Sequence, residues 1–249
     1  VKEALYLADI ASQVYLIHRR EGFRANQTAV DKMRTNDKIE LKLNKVVKRI
    51  EGEGMMQNLT LLDLKTGEEE NLQVEGLFVS IGLVAAADFI EGLLETEDGY
   101  IVTDKNMATS VPGIFAAGNV VHVYDLFDYV SMAGVEAGHS AAEFALAEKA
   151  RAARYIPLVP GKNVRYIVPH KLDKKALEKG DISLQMRVTR PIEEDVWMEV
   201  HGETNSIVRR SERYVRPGEM VTIVLKPNMA AEVEKAGKLT VDIYPKSEA

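Results

Sequence analysis

The stretch VYLIHRREGFRA (residues 14–25) decides the fold. Tyr15, Leu16 and Ile17 make an apolar run short enough for a buried strand. The run ends in His18, Arg19 and Arg20, with Arg24 four residues beyond Arg20. In open α/β sheets ligands are met at the carboxyl ends of strands, so a basic strand tip predicts an anion there. A solvated turn is the competing reading.

Upstream, Val1, Ala4, Leu5, Ala8 and Ala11 repeat at helical spacing and Ser12-Gln13 supplies a short turn. Helix, turn and strand in that order are the second half of a βαβ unit. Neither a capping residue nor an initiator Met precedes Val1, so further sequence is expected upstream.

Downstream, residues 26–34 predict a second helix. IELKLNKVVKRIEGEG (39–54) and LTLLDLKTGEEENLQVEGLFVSIG (59–82) then read as short strands turned at Gly52-Glu53-Gly54 and Thr66-Gly67. Residues 76–81, a continuous apolar run ending at Gly82, are expected as a buried parallel strand. In VPGIFAAGNV (111–120), residues 114–117 predict a short buried strand before Gly118-Asn119. A long helix follows over about 128–149, with Ala133, Gly134, Ala137, Gly138 and Ala141 on one side. Tight helix–strand packing and close approach of a cofactor explain such a stripe equally well.

After residue 152 the text changes. YIPLVPGKN (155–163) carries Pro157, Pro160 and Gly161 and reads as a linker, placed at 153–162. Residues 163–249 alternate at period two, as in Leu184, Met186, Val188 and Leu239, Val241, Ile243, and predict a small antiparallel, sandwich-like β domain. His170 and His201 read as packing or surface histidines, and Trp197 as a strand aromatic.

Composition sets the limits. The 249 residues are 46% hydrophobic and 28% charged, as in an ordinary globular chain, and contain no cysteine, so no disulfide, thiol or iron–sulfur chemistry resides in them. The net charge of −6 divides into −10 over residues 1–150 (14 Lys+Arg against 24 Asp+Glu) and +4 over the rest (18 against 14). The basic residues of the second part are interspersed rather than clustered, so no nucleic-acid partner is expected. With no apolar run of about 18 residues and no signal segment, a membrane span is not expected and a cytoplasmic location is.

At the tip of the second strand of a dinucleotide-binding fold, a carboxylate bonds the ribose 2′-hydroxyl of NAD, whereas arginine accommodates the 2′-phosphate of NADP. Here the tip offers His18, Arg19 and Arg20, and no carboxylate appears before Glu21. Guanidinium groups donate to phosphate as planar forks, so these residues with Arg24 point to NADPH.

EALYLADIASQVYLIHRREGFRA (3–25) resembles the NADPH domain of the thioredoxin reductase family of FAD-dependent pyridine nucleotide oxidoreductases, where a strand ends in His-Arg-Arg followed by Phe-Arg. LQVEGLFVSIG (72–82) is similar to the family's strand leading back toward the flavin domain, with Gly82 at its end. DGYIVTDKNMATSVPGIFAAGNV (98–120) resembles its Ala-Ala-Gly-Asp segment, in which the carboxylate bonds the flavin ribityl chain.

The resemblance covers residues 1 to about 148 and departs at three places. The Gly-rich pyrophosphate loop and first flavin segment, upstream in the family, are absent. The family's Asp is Asn119, after Gly118. Its Arg-Gln-Ala is replaced, after the insertion HVYDLF, by Tyr129-Val130-Ser131, whose backbone N–H groups would face the flavin pyrimidine.

The resemblance implies an α/β fold, a partial two-dinucleotide-binding-domain (FAD/NAD(P)-binding, Rossmann-like) architecture, followed by the β domain. Residues 1–85 would be an NAD(P)H-binding domain, 86–152 the C-terminal segment of an FAD-binding domain, and 163–249 an appendage of unassigned role. It implies NADPH-to-FAD hydride transfer, with a redox-active Cys-x-x-Cys that would fall before residue 1, and a homodimer. Glu136 and His139 on the last helix are surface residues or tune the isoalloxazine. Two alternatives stand beside disulfide reduction. One is a flavin oxidoreductase that passes electrons to a ferredoxin, a quinone or a partner dehydrogenase; the other, if the chain is complete, is a non-catalytic interaction module.

Overall fold

The computed structural model describes residues 1–23, 25–82, 84–147, 154–173 and 175–248. They form two compact units, Val1–Gly82 and Leu83–Ala249.

In the first unit, α1 (Lys2–Ile10) buries Ala4 and Ala8 and leads into β1 (Val14–His18). Lys38 Nζ donates to the carbonyls of Ala8 and Ala11 at 3.0 and 3.2 Å, setting a cation on the negative end of α1. The next helix, α2 (Gln27–Arg34), begins at Asn26, whose side-chain oxygen accepts from Ala29 N at 3.4 Å and replaces a missing intrahelical partner. Its buried Val30 and Met33 carry the crossover to β2 (Ile39–Leu43). This strand pairs parallel with β1 from Val14↔Ile39 to His18↔Leu43, so both strands end at one edge. The expected short strands follow as an antiparallel meander of β3 (Lys45–Glu51), β4 (Asn58–Asp63) and β5 (Glu69–Gln73), with Leu59, Leu61 and Leu72 as its small core.

Residues 76–81 correct the reading. They are not a strand, and Phe78 and Ile81 are 69% and 92% exposed. A parallel strand exists only where a neighbour takes up its backbone hydrogen bonds, and among the described residues no strand lies beside this run.

The second unit opens with a hairpin of β6 (Thr96–Glu97) and β7 (Tyr100–Ile101), turned at Asp98 and Gly99 with φ of 50° and 82°. Two left-handed residues give the tight turn that matches strand twist. Residues 114–117, expected as a strand, contribute only the isolated bridge Ala108↔Phe115, again for lack of a continuous neighbour. The long helix is α3 (Phe127–Leu146). Its small residues do not form one packed stripe: Ala133 is buried, whereas Gly134 and Gly138 are exposed.

The strands after it are β8 (Tyr155–Pro160), β9 (Val164–Val168), β10 (Lys171–Asp173), β11 (Ile182–Val188), β12 (Val196–His201), β13 (Ser206–Glu212) and β14 (Val221–Leu225). A short helix α4 (Ala230–Lys235) precedes β15 (Leu239–Pro245). One sheet has the order β10-β8-β15-β12-β13 and the other β14-β11-β9. Side chains from both, among them Leu184, Met186, Met198, Ile223, Val241 and Ile243, form one large core.

The sandwich expectation holds with two corrections. Residues 155–160, read as linker, are β8, with Ile156 and Leu158 buried between the exposed Tyr155 and Pro157. Proline is tolerated in a strand wherever the ladder asks for no donor, and here it masked the alternation. Nor are all pairs antiparallel, because β15 runs parallel to β8 from Leu239↔Leu158 to Val241↔Pro160. Gly161 permits this closure: its N–H donates to Val241 O at 2.9 Å, and a Cβ there would lie 2.0 Å from Asp242 Oδ1.

His170 and Trp197 are packing residues. His170 is buried, and its Nδ1 accepts from Thr103 N at 3.2 Å, joining the segment before α3 to the sandwich. Trp197 carries the Arg209 guanidinium 4.2 Å above its ring. His201 is half-buried, 3.0 Å from Asp242 Oδ2 through Nε2.

Candidate functional site

At the carboxyl edge of the β1–β2 pair the chain turns back on itself. The His18 ring stacks on Phe23 with centroids 4.8 Å apart at 23°, and its Nε2 lies 3.1 Å from Gly22 O. This histidine is committed to shaping the turn. Arg19 and Arg20 are exposed, and among the described residues neither has a carboxylate partner. The adjacent carboxylate, Glu21, is drawn away to Lys65, which holds it below the usual carboxylate range. Two guanidinium groups are therefore left together with no internal anion. Arg24 lies outside the described residues.

The remaining expected residues lie in two places. Gly82 has φ of +100°, and a Cβ there would meet nothing within 4 Å. In the second unit Gly118 is buried at φ +80°, a conformation that disfavours any side chain, and starts a short 3-10 turn with Asn119. Asn119 is exposed, and its Oδ1 accepts from Tyr124 N at 3.4 Å. Val130, on the first turn of α3, faces Gly118, since a Cβ there would be 3.8 Å from Val130 Cγ1. Tyr129 and Ser131 are exposed on the same turn, and no side chain caps the helix N-terminus. Gly118 and Val130 are thus neighbours, but Tyr129 N donates to Leu126 O at 3.2 Å and the N–H groups of Val130 and Ser131 lie within the helical ladder, so the unpartnered donors of the first turn are those of Phe127 and Asp128. His139 is exposed and Glu136 half-buried farther along α3.

Sequence reading missed what holds the insertion in place. Arg187, inside the apolar alternation of β11, is buried and donates through Nη2 to Val123 O at 3.0 Å and to the Asp125 carboxylate. A charge in a buried strand demands a partner, and that signal was available. His122, at the start of the insertion, is 1% exposed, and among the described residues neither ring nitrogen has a hydrogen-bond partner. Burial, with the Arg187 and His170 charges adding, pushes its pKa down to about 4.

The folded state therefore resists protonating His122 while the unfolded chain does not. No penalty exists above the ordinary histidine range, and stability falls as pH drops through about 6.5 toward about 4. Between pH 7 and 5 this histidine is expected to cost about 2 kcal/mol. Urea melts of the wild type and of His122→Phe across that range check it; the variant should have the flatter profile.

Among the described residues no cluster of His, Asp and Glu could hold a metal, and no helix is long and apolar enough to cross a membrane. The family model described as pyridine nucleotide-disulphide oxidoreductase matches residues 1–153. A glucosaminate ammonia-lyase of Pseudomonas fluorescens is 46% identical over 133 residues, which are 50% of this chain and 42% of that protein. A thioredoxin reductase of Spironucleus barkhanus is 39% identical over 147 residues, covering 58% and 46% of the two. That of Escherichia coli O157:H7 is 41% identical over 135 residues, covering 50% and 42%. The crystal structure of Lactococcus lactis thioredoxin reductase matches 58% of this chain and 49% of its own at 30% identity with a TM-score of 0.49. The chain thus spans less than half the length of these curated relatives. With well over half of its residues matched by one family model, it belongs to the pyridine nucleotide-disulphide oxidoreductases and resembles thioredoxin reductases among them.

Proposed function

We propose that this chain is part of an NADPH-dependent flavoprotein oxidoreductase of thioredoxin reductase type. The observation that carries the reading is the unpaired Arg19 and Arg20 at the carboxyl edge of a parallel strand pair, with Glu21 turned away to Lys65. Residues 1–85 would hold NADPH, with the two guanidinium groups and Arg24 on its 2′-phosphate and His18 fixing the turn that presents them. Residues 86–152 would complete an FAD site. Gly118 lets the backbone approach, Asn119 offers amide N–H groups to a ribityl hydroxyl, and the uncapped first turn of α3, next to Tyr129, Val130 and Ser131, offers the backbone N–H groups of Phe127 and Asp128. The donor chemistry fits both groups. FAD, when bound, supplies the hydride acceptor for NADPH, and the protein aligns the two and excludes water.

The thioredoxin reductases among the relatives favour a thioredoxin-type acceptor, and a homodimer and a cytoplasmic location belong to the same proposal. Because these 249 residues contain no cysteine, a dithiol relay would use cysteines outside them. The test is the visible spectrum of the full-length protein under anaerobic titration. Flavin bands bleached by NADPH at far lower concentration than by NADH are expected. A colourless protein that added FAD does not reconstitute would overturn the reading.

A further inference from the structure

The β sandwich meets the insertion through one buried cation. Besides Val123 O and Asp125, Arg187 donates from Nε to the Tyr166 hydroxyl at 3.0 Å and from Nη1 to Pro217 O at 3.4 Å. The second oxygen of Asp125 accepts from Met220 N at 2.8 Å, just before β14. One carboxylate is thereby clamped between a strand of the sandwich and the turn entering another. At the other end of the same loop, the His122 ring lies 3.9 Å from the Tyr124 ring and 6.1 Å from that of Tyr166 on β9. Residues 122–125 are thus held at both ends by the sandwich.

This loop leads directly into α3. Asp125 is two residues before Phe127, the first residue of the helix, and Tyr124 N donates to Asn119. The helix has no side-chain cap of its own to fix its entry, so the entry is set by what holds the loop. The Arg187 side chain is 10% exposed and that of Asp125 33%, so removing Asp125 strands a largely buried guanidinium, whereas removing Arg187 releases the loop carboxylate.

We propose that the sandwich is a positioning element for the flavin site, with Arg187 as its positioning residue: through Asp125 it fixes the loop whose Asn119 and first-turn N–H groups would receive FAD. This rests on the flavin reading above. It gives the appended domain a role in setting cofactor affinity rather than in recruiting a partner.

The experiment compares the full-length wild type with Arg187→Met, Asp125→Asn and Arg187→Lys. Three quantities are read: hydrogen exchange of residues 122–131, FAD affinity after removal and re-addition of the flavin, and the flavin midpoint potential. Expected for Arg187→Met and Asp125→Asn are faster exchange over 122–131, roughly tenfold weaker FAD binding and a shifted potential, while the strands of the sandwich stay protected. Arg187→Lys, which keeps the charge, should recover part of the affinity. Unchanged exchange, or faster exchange with wild-type affinity and potential, would overturn the proposal. If Arg187→Met unfolds the sandwich, Asp125→Asn decides by the same readings, because its change lies on the loop. A wild type that takes up no FAD overturns the flavin reading, and this one with it, before any variant is compared.

Discussion

Replacing Arg19 and Arg20 together by alanine should raise the NADPH concentration that half-reduces the flavin of the full-length protein about a hundredfold, with the NADH response unchanged. A hydrogen bond to a charged group contributes about 1.5–3 kcal/mol, and two such contacts to one phosphate amount to about 3 kcal/mol at the low end. Every 1.4 kcal/mol is about a factor of ten. Both side chains are exposed, so salt should erode the wild-type preference and leave the variant nearly unaffected. Stopped-flow reduction with each nucleotide at two ionic strengths separates the outcomes. Equal losses with NADPH and NADH would move the arginines to a phosphate common to both. No loss would make them a solvated turn.

The second large effect is on stability. Leu184 is fully buried at the centre of β11, in the core that both sheets share. Its replacement by alanine is expected to destabilise the second unit by about 3 kcal/mol, because the surrounding strands cannot collapse onto the space left. Thermal unfolding of that unit should drop by roughly 6–12 °C. The first unit, whose antiparallel core rests on Leu59, Leu61 and Leu72, should unfold where it did before. Hydrogen exchange resolved by segment reads the two separately. A loss below 1 kcal/mol would show that the sandwich repacks freely around this position.

Much of this arrangement was legible in the residues. The strand ending in His18-Arg19-Arg20 could be read because an apolar run terminated by charge has few alternative structures. The helix at Asn26 could be read because its cap is chemically specific. The alternation of Leu184, Met186 and Val188 carried the sandwich. What failed were segments whose state depends on a distant neighbour. Residues 76–81 have the composition of a buried strand, but composition does not supply the partner. Residues 155–160 lost their alternation to Pro157 and Pro160, and only the pairing with β10 and β15 restores it.

At the site, Arg19, Arg20, Gly118 and Asn119 were visible as residue types in context. Glu21 was visible only as an acid, and its diversion to Lys65 is a tertiary fact. Arg187 and Asp125, 62 residues apart, could not be joined by any local pattern.

The strand order of the larger sheet also bears on how the protein is made. Among the described residues β15 is the last strand of the sandwich in sequence, yet it sits between β8 and β12, in the middle of its sheet. During synthesis the pairs β10-β8 and β12-β13 must wait as two open ribbons until residues 239–245 leave the ribosome. Each ribbon meanwhile presents an unpaired inner edge, the kind of surface that adds strands from other chains. Long-range closure of this kind is slow, so the nascent sandwich should be a chaperone client until its final strand arrives. The same order makes chains cut short before residue 239 prone to aggregation, because they lack the middle of a sheet and not merely its rim.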